Sequence, residues 1–378
     1  MWQEFIIIIM ENTKRLLALD VFRGLTIALM IIVNNPGNWE YVYPPFLHSK
    51  WSGCTPTDLV FPFFMFIVGA AMWYSYKKFN HVISGKLVLK ILRRAAIIYL
   101  IGVSLNAYAV FSPDLSRIRI MGVLPRIAIG YLIASFIVLY LKPRWVMILS
   151  GLILLGYWAI VVFLGGDNPF SLEGNFARSF DIAVLGINHI PEFHGVKFDQ
   201  TGLLSTLPSI ANILLGYLAG RLIDTSEVKS AATKKLLIYG IAGIAVALVW
   251  NFIFPINKPL WTSSFVLYTC GFASVILGIL LWIVDIKGYS KWTMPTIVFG
   301  VNPLILYVFS EILAITFWLK VAHEPSGVKI SIVDWIFQTC FLPVAGKYNG
   351  SLLYALTFTF ICWLTGWILY SRKIVIKL

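Results

Sequence analysis

Long apolar segments, each followed by a shorter polar one, recur from residue 19 to the end of the chain. Continuous apolar runs of about 18 residues or more are typical of transmembrane helices. Ten such helices are predicted, at about residues 19–33, 57–76, 95–111, 122–141, 145–164, 203–219, 236–254, 262–284, 296–319 and 352–370. Gly216 and Gly220 in the sixth form a GxxxG pair, which indicates close packing against another helix. The pattern therefore predicts an all-α integral membrane protein, a polytopic bundle of about ten transmembrane helices.

The polar connections are too short to form a separate soluble domain. Residues 15–378 are therefore predicted to form one transmembrane domain, preceded by an N-terminal leader of residues 1–14. The two longest connections are residues 165–200 and 320–350. Within the second, residues 330–342 are apolar but too few to span a bilayer, so we interpret them as an interfacial or re-entrant segment.

Charge predicts the orientation. Only 12% of the residues are charged, about half the fraction typical of soluble domains. The net charge of +13 does not indicate nucleic-acid binding, because the basic residues lie in short connections, as the positive-inside rule requires. With Lys14 and Arg15 inside, ten spans place both termini in the cytoplasm and 20 of the 30 Lys and Arg residues on the cytoplasmic side. The connection between the first two helices then faces outward, and a bacterial inner membrane is the expected location.

No metal site is predicted. The four cysteines show neither CxxC nor other metal-type spacing, and we interpret them as packing residues. His189 and His194, in the long 165–200 connection, lack metal-ligand partners in the sequence, and we expect them to be solvated.

The connection between the first two helices carries the strongest candidate for chemistry, His48. An imidazole can take a proton from an amine near neutral pH, or attack an acyl group itself. Asp58 follows at the start of the second helix, where a carboxylate should face a cavity or a partner. It either orients His48, as a triad carboxylate does, or is a helix N-terminal residue beside a capping Thr55 or Thr57. His48 has its own plainer interpretation, as an interfacial residue beside an aromatic belt.

Other polar residues suggest sites at both ends of the helices. Asn34 ends the first helix, where its amide N–H either stabilises an oxyanion or belongs to an ordinary Asn-Pro-Gly turn. At the inner ends, Arg23, Arg93 and Arg94 are candidates for binding the phosphates of a cytoplasmic donor. The alternatives are that Arg23 pairs with Asp20 and that the basic residues are topology signals.

Two charged residues lie within predicted spans. Lipid would penalise Arg126 in the fourth helix and Glu311 in the ninth, so both should line an interior cavity or pair with a polar group. We count Arg126 with the candidate donor-binding residues. Asn302-Pro303, also in the ninth helix, predicts a kink.

Hydroxyl and amide side chains cluster at two helix starts on the predicted outer side, in residues 199–212 and 257–264. Asp199, Trp261 and Ser263 are the candidates there for binding a sugar. Helix capping is the alternative explanation for the polar residues of these segments.

Several blocks, in order along the chain, resemble one known family. They are LDVFRGLTIALMIIVNNPG (19–37), LHSKWSGCTPTDLVFPFFMFIVGAAM (47–72), IRIMGVLPRIAIGY (118–131), DQTGLLSTLPSIANILLGYLAGRL (199–222) and PINKPLWTSSFVLYTCG (255–271). The chain resembles the catalytic domain of the heparan-α-glucosaminide N-acetyltransferases, a family of membrane acyltransferases.

The resemblance implies acetyl transfer across a lipid bilayer, from cytoplasmic acetyl-CoA to the amine of a glucosamine-type sugar on the outer face. The active-site histidine of the family's H-x-x-W-x-G motif would be His48, with Trp51 and Gly53 after it, and the asparagine ending the first helix would be Asn34. His48 either carries the acetyl group or acts as a base in a direct transfer. Whether the chain forms a homodimer is left open.

Two other functions remain as alternatives. One is O-acylation of an envelope polysaccharide, which uses the same chemistry. The other is a membrane sugar transporter with a polar site near the midplane. Transporters usually show internal repeats, and none is evident in this sequence.

Overall fold

The computed structural model describes residues 16–110, 115–320, 322–323 and 329–376, and helices dominate these ranges. The helices are α1 (Leu17–Asn34), α2 (Val60–Lys77), α3 (Gly85–Val110), α4 (Val123–Tyr140), α5 (Pro143–Leu164), α6 (Phe176–Leu185), α7 (Thr206–Thr225), α8 (Lys229–Trp250), α9 (Ser263–Leu280), α10 (Met294–Val301), α11 (Pro303–Phe317), α12 (Ile332–Ile336), α13 (Leu342–Ala345) and α14 (Lys347–Ser371). Two short antiparallel hairpins pair β1 (Glu192–Phe193) with β2 (Val196–Lys197), and β3 (Ala322–His323) with β4 (Lys329–Ile330). The predicted leader, residues 1–14, lies outside the described residues.

Eight helices of the described ranges are long and apolar enough to cross a membrane. They are α1, α2 with the 3-10 turn before it (Pro56–Lys77), α4, α5, α7, α8, α9 with its π-helical extension (Ser263–Ile286), and α14. The chain is therefore an all-α polytopic membrane protein, as predicted. The bent pair α10–α11 would make nine spans. The count of ten, which includes α3, and the cytoplasmic placement of the termini stay predictions.

Helix α3 begins ten residues before the predicted start at residue 95. The prediction that residues 77–94 connect two helices is wrong for residues 85–94, which belong to α3. Leu87, Ile91 and Ala95 recur every four residues and are buried along one face of α3. The Lys and Arg residues between them are good helix formers, so the basic segment continues the helix. Helix α8 likewise begins early, within its own basic segment.

The predicted helix at 296–319 is broken at Asn302, where α10 and α11 meet at an angle of 72°. Pro303 lacks the N–H that would continue α10. The Asn302 side chain fixes the break: its Nδ2 donates to the carbonyl oxygen of Ile374 at 2.9 Å, and its Oδ1 accepts from the Ile376 amide at 2.9 Å. The Asn-Pro pair therefore marks a sharp break held by the C-terminal segment, rather than a simple kink.

Small residues let α2 and α7 pack closely, as the GxxxG pair predicted. A Cβ on Gly216 would lie 2.0 Å from the Phe66 carbonyl oxygen, and one on Gly69 would lie 1.9 Å from that of Ile213. Neither distance is sterically allowed, so only glycine permits this backbone approach. Close approach through small residues is the usual way helices associate in a membrane.

The two longest connections contain short helices that were not predicted from the sequence. In residues 165–200, the buried Asn175 caps α6 by accepting the Arg178 amide at its Oδ1, at 2.8 Å. In residues 320–350, α12 and α13 join through a π-helical segment into one apolar helix, Ile332–Ala345, that is too short for a span. The short apolar segment predicted at 330–342 is thus helical.

Several inter-helix connections meet at one end of the bundle. The α1–α2 connection contacts the α8–α9 connection, where the Gly53 amide donates to the Ile256 carbonyl at 2.7 Å. It also contacts the α5–α7 connection, where Trp51 Nε1 donates to the Phe170 carbonyl at 2.7 Å. Because α1–α2 contains the candidate residue His48, we call this the His48 end. The opposite end holds the C-termini of α2 and α7 and the N-terminus of α8.

Candidate active site

The α1–α2 connection folds back onto the start of α2. Thr57 Oγ1 donates to the Pro45 carbonyl oxygen at 3.1 Å, and Thr55 Oγ1 donates to that of Leu47 at 2.7 Å. These two bonds hold the backbone on the N-terminal side of His48 against the residues that precede the helix. The imidazole is therefore fixed beside the first turn of the span.

Asp58 lies at the centre of the site, and its side chain is 1% exposed. Its Oδ2 accepts from the backbone amides of Ser49 and Thr55, each at 3.0 Å, and lies 3.1 Å from Thr55 Oγ1. Thr55 and Asp58 form a capping box at the start of the 3-10 turn. The helix-start interpretation of Asp58 is therefore confirmed, and its other oxygen faces His48.

His48 Nδ1 lies 2.7 Å from Asp58 Oδ1. Two atoms at this distance need a proton between them, because a lone pair facing a carboxylate would be repelled. Nδ1 therefore carries the hydrogen and donates it to Asp58. In the neutral imidazole Nε2 then keeps its lone pair, and it makes no hydrogen bond within the described ranges. The His48 side chain is 45% exposed, so this nitrogen is open to a substrate.

Lys258 is the third member of the site, and sequence reasoning missed its role. Its Nζ lies 3.1 Å from His48 Nδ1 and 3.3 Å from Asp58 Oδ1, and its side chain is 15% exposed. Burial lowers the pKa of the Lys258 ammonium, and the Asp58 carboxylate opposes that effect. The sequence feature that could have indicated this contact is Gly53, the glycine of the H-x-x-W-x-G motif. Its φ is +110°, which favours glycine. Gly53 pairs with Asn257 in a parallel β-bridge, which brings the next residue, Lys258, to the site.

Cys54 lies close enough to the site to be affected by its charges. Burial, and then the Asp58 carboxylate, raise the pKa of the Cys54 thiol to about 12, although Lys258 lowers it. The thiol is therefore neutral at physiological pH and a poor nucleophile. This agrees with the interpretation of Cys54 as a packing residue.

The motif tryptophan, Trp51, fastens the long 165–200 connection to the site. Besides its hydrogen bond to Phe170, its ring lies 6.2 Å from that of Phe193 and 5.7 Å from that of Phe198. The β1–β2 hairpin that carries Phe193 therefore packs beside the residues that follow His48. His189 in the same connection, expected to be solvated, is half-buried, and its Nδ1 lies 2.7 Å from the Ile118 carbonyl oxygen.

Asp199, a predicted sugar-binding residue, is held in a buried ion pair. Arg119 donates to both of its oxygens, through Nε at 2.9 Å and Nη2 at 2.5 Å. The Thr201 amide and Oγ1 donate to Asp199 Oδ1 at 2.8 and 2.9 Å. These bonds hold the pKa of Asp199 below its usual value despite burial. The structure shows no contact between Asp199 and the His48 site.

Trp261 and Arg126, predicted to bind sugar and donor respectively, contact each other instead. The Arg126 guanidinium carbon lies 4.7 Å from the centre of the Trp261 ring, and both side chains are buried. Arg126 Nη2 donates to the carbonyl oxygens of Gln200 and Gly202 at 3.2 and 3.3 Å. Arg126 thus lies at the His48 end, away from the other candidate donor-binding arginines.

Ser263, the remaining candidate for sugar binding, is fully buried. Its Oγ donates to the Leu154 carbonyl of α5 at 2.6 Å. Thr262 before it caps α9 by accepting the Phe265 amide at 3.4 Å. The capping alternative is therefore confirmed for Thr262, while Ser263 links two helices.

The other predicted residues do not contact His48 in the structure. Asn34 is exposed at the end of α1. Arg23 forms an ion pair with Asp20 and donates from Nε to the Gly300 carbonyl at 2.7 Å, as the pairing alternative proposed. Near the opposite end, Arg93 is exposed and the Arg94 guanidinium carbon lies 5.0 Å from the Tyr131 ring centre.

The described part of the chain contains no group of three or more His, Cys, Asp or Glu side chains placed to hold a metal ion. The charges of the site are instead supplied by protein side chains. Fold and site together define a polytopic helical membrane protein with a histidine–carboxylate–lysine group at one end.

Comparison with known proteins assigns this chain to a family. The model of the family "Heparan-alpha-glucosaminide N-acetyltransferase, catalytic" matches residues 15–249, which include His48 and Asp58. The human heparan-alpha-glucosaminide N-acetyltransferase is 30% identical over 356 residues, which cover 79% of this chain and 53% of the relative. The mouse protein of the same name is 30% identical over 379 residues, 84% of this chain and 56% of the relative. The chain therefore belongs to the heparan-alpha-glucosaminide N-acetyltransferase catalytic family, and it spans about half the length of these relatives.

Proposed function

We propose that this protein is a membrane acyltransferase that moves an acetyl group from acetyl-CoA to the amine of a glucosamine-type sugar. The observation that carries the proposal is the 2.7 Å hydrogen bond from His48 Nδ1 to Asp58, which leaves the lone pair of Nε2 available at a partly exposed surface. Family membership supports it, since the human and mouse relatives are named as N-acetyltransferases of a glucosaminide.

His48 Nε2 can serve this transfer in two ways. As a base, it takes a proton from the amine while the amine nitrogen attacks the thioester carbonyl; the C–N bond forms, the C–S bond breaks, and the CoA thiolate receives the proton. As a carrier, Nε2 attacks the carbonyl first, forming an N–C bond to the acetyl group and releasing the CoA thiolate. The amine then attacks the acetyl carbon, the bond from that carbon to Nε2 breaks, and the proton lost by the amine passes through the freed imidazole to the CoA thiolate. In both cases Asp58 holds the Nδ1 hydrogen and stabilises the positive charge that develops on the ring.

The distribution of basic residues supports a donor that approaches from the cytoplasm. Of the 30 Lys and Arg residues, 20 lie on the side that the positive-inside rule assigns to the cytoplasm. We infer that Arg93 and Arg94 meet the phosphates of acetyl-CoA there, and that the His48 end faces the extracytoplasmic side. Asn34, exposed where α1 ends, is the proposed donor to the oxyanion.

The acceptor is proposed to bind at the His48 end. Asp199, Trp261 and Ser263 are buried and engaged with protein groups, so we infer that they shape this end rather than bond the sugar directly. Transfer to a hydroxyl of an envelope polysaccharide would use the same Nε2 lone pair. Comparing glucosamine with glucose as acceptors separates transfer to an amine from transfer to a hydroxyl.

The test is acetyl transfer by the purified protein with labelled acetyl-CoA and glucosamine, comparing the wild type with His48→Ala. The control is His194→Asn, an exposed histidine at the β1–β2 turn whose φ of +48° asparagine tolerates. We expect N-acetylglucosamine from the wild type and the control, and a loss of at least about 10³-fold in His48→Ala. Glucose, which lacks the amine, should not be acetylated; equal rates in wild type and His48→Ala would refute the proposal.

A further inference from the structure

Lys258 places a positive charge next to Nδ1 of the His48 imidazole. Its Nζ lies 3.1 Å from His48 Nδ1, the nitrogen that also faces Asp58. The ammonium therefore lies at the ring nitrogen that faces Asp58, and no contact between it and Nε2 is recorded among the described residues. A group in this position does not itself contact the reacting atoms, so any role it has acts through the ring.

The turn that presents Lys258 is tightly built. Asn257 Oδ1 accepts the Leu260 amide at 2.7 Å, and the Asn257 amide donates to Thr262 Oγ1 at 3.0 Å. The Trp261 amide donates to the Lys258 carbonyl at 3.0 Å. The α8–α9 connection thus closes on itself around Lys258 through its own side chains.

Trp261 completes the turn in a conformation that bulky residues rarely adopt, with φ of +53°. Its Nε1 donates to Asn212 Oδ1 at 2.9 Å, and Arg126 packs on its ring. A strained backbone persists only where its surroundings over-determine it. The buried contacts of Trp261 therefore maintain the position of Lys258.

The charges around His48 oppose each other. The Asp58 carboxylate attracts a second proton to the imidazole, because it is stabilised by a positively charged ring. The Lys258 ammonium at similar distance disfavours that charge by Coulomb repulsion. Cys54, another titratable group near the site, is a neutral thiol and adds no charge to this balance.

We propose that Lys258 is a positioning residue that offsets the attraction of the Asp58 carboxylate for a second proton on the His48 ring. Asp58 then fixes the tautomer without trapping His48 as an imidazolium, and Nε2 keeps its lone pair. The expected effect of Lys258 on the pH profile of acetyl transfer rests on the proposed function. The opposing effects of Asp58 and Lys258 on the charge of His48 do not.

The first test is the pH dependence of kcat/KM for acetyl transfer between pH 5 and 9, in the wild type, Lys258→Met and Lys258→Arg. In Lys258→Met, the midpoint of the acid limb should move to higher pH by about one unit or more. Lys258→Arg retains the charge and should keep the midpoint near that of the wild type. The matched control, Lys229→Met, removes an ion pair with Asp285 at the opposite end and should leave the midpoint unchanged. An unchanged midpoint in Lys258→Met would overturn the proposal.

The second test needs no activity. Diethyl pyrocarbonate modifies neutral imidazole, and peptide mass spectrometry measures its rate at His48 as a function of pH. The midpoint should move upward in Lys258→Met as in the kinetic profile, and equal midpoints would overturn the proposal. If the wild type transfers no acetyl group, the proposed function fails while this measurement still decides the role of Lys258. Should Lys258→Met not fold, Lys258→Gln, neutral but polar, takes its place.

Discussion

The ion pairs at the two ends of the bundle differ in how exposed their side chains are. At the His48 end, the Asp58 and Asp199 side chains are 1% and 0% exposed, and their partners Lys258 and Arg119 are 15% and 33% exposed. Asp58 also accepts two backbone amides, and Asp199 accepts one backbone amide and the Thr201 hydroxyl. At this end, charge is enclosed within a network of directed hydrogen bonds.

At the opposite end, the lysines of two ion pairs are in contact with solvent. Lys77 pairs with Asp224 at 2.8 Å and is 58% exposed, and Lys229 pairs with Asp285 at 3.0 Å and is 50% exposed. The Asp224 and Asp285 carboxylates are themselves 19% and 3% exposed, so the difference between the ends lies in these lysines. An ion pair whose cation remains solvated contributes little to stability.

The difference agrees with the proposal that the chemistry takes place at the His48 end. Enclosing an ion pair costs desolvation that its attraction does not always offset, so such pairs are weak evidence for stability. Perturbed, enclosed charges beside an open histidine are typical of functional sites. The predictions below test this contrast by removing charges first from the His48 end and then from the opposite one.

The largest effect is expected from Asp58→Asn. The amide keeps the shape of the carboxylate but does not stabilise an imidazolium, and it can bind the wrong tautomer of His48. We expect acetyl transfer to fall by about 10³-fold or more, measured as kcat/KM with labelled acetyl-CoA. An activity within tenfold of the wild type would remove Asp58 from the site.

Arg119→Met should cause the next largest effect, on stability. It leaves the buried Asp199 carboxylate without its counter-charge, which typically costs about 3–5 kcal/mol. Chemical unfolding in detergent micelles measures the loss. Adding Asp199→Asn to Arg119→Met should recover part of it, because the unpaired charge is removed; a double variant no more stable than the single one would contradict this explanation.

Asp181→Asn should change how stability depends on pH. Burial raises the pKa of Asp181 to about 6, above the unfolded value of 3.8, and no hydrogen bond reaches its Oδ2 within the described residues. The folded state binds the proton more tightly, so this contribution to stability is present below about pH 4 and is lost as the pH rises through 6.

Thermal unfolding from pH 4 to 7.5 checks the Asp181 prediction. Asp181→Asn should lack the part of the decline between pH 4 and 6 that Asp181 causes, and should be more stable than the wild type at pH 7 by about 1–3 kcal/mol. Parallel curves for the two proteins would contradict the assignment.

The smallest effect is expected from Lys77→Met at the opposite end. Its pair with Asp224 is largely exposed, so the loss in unfolding free energy should stay below about 1 kcal/mol. The same unfolding assay as for Arg119→Met gives the comparison. A loss as large as that of Arg119→Met would erase the contrast between the two ends.

The helical frame followed from the sequence because apolar length and burial are local properties. The differences between the predicted and the observed helices have local causes that the apolar pattern does not indicate. Helix α3 is longer than predicted because Leu87 and Ile91 form a buried face within the basic segment. The break at Asn302 is sharper than the predicted kink, at 72°. Helix α6 was not predicted because its N-cap, Asn175, lies in a segment whose polar residues are typical of turns.

The site was predicted only where its members are close in sequence. His48 and Asp58 are ten residues apart, and the hydrogen bond between them is as the triad alternative proposed. Lys258 lies 210 residues from His48, and only the contact of Gly53 with the α8–α9 connection brings it there. The buried partners of Asp199 and Trp261 likewise come from distant helices, which no local pattern specifies.

The most direct test of the account is a double-mutant cycle in acetyl transfer, with His48→Ala, Asp58→Asn and the combined variant. If Asp58 acts through His48, the combined variant should be no slower than His48→Ala alone, because residues that act as a unit are not additive. Losses that multiply in the combined variant, or a His48→Ala protein that retains the wild-type rate, would contradict the central claim that these two residues form one catalytic group.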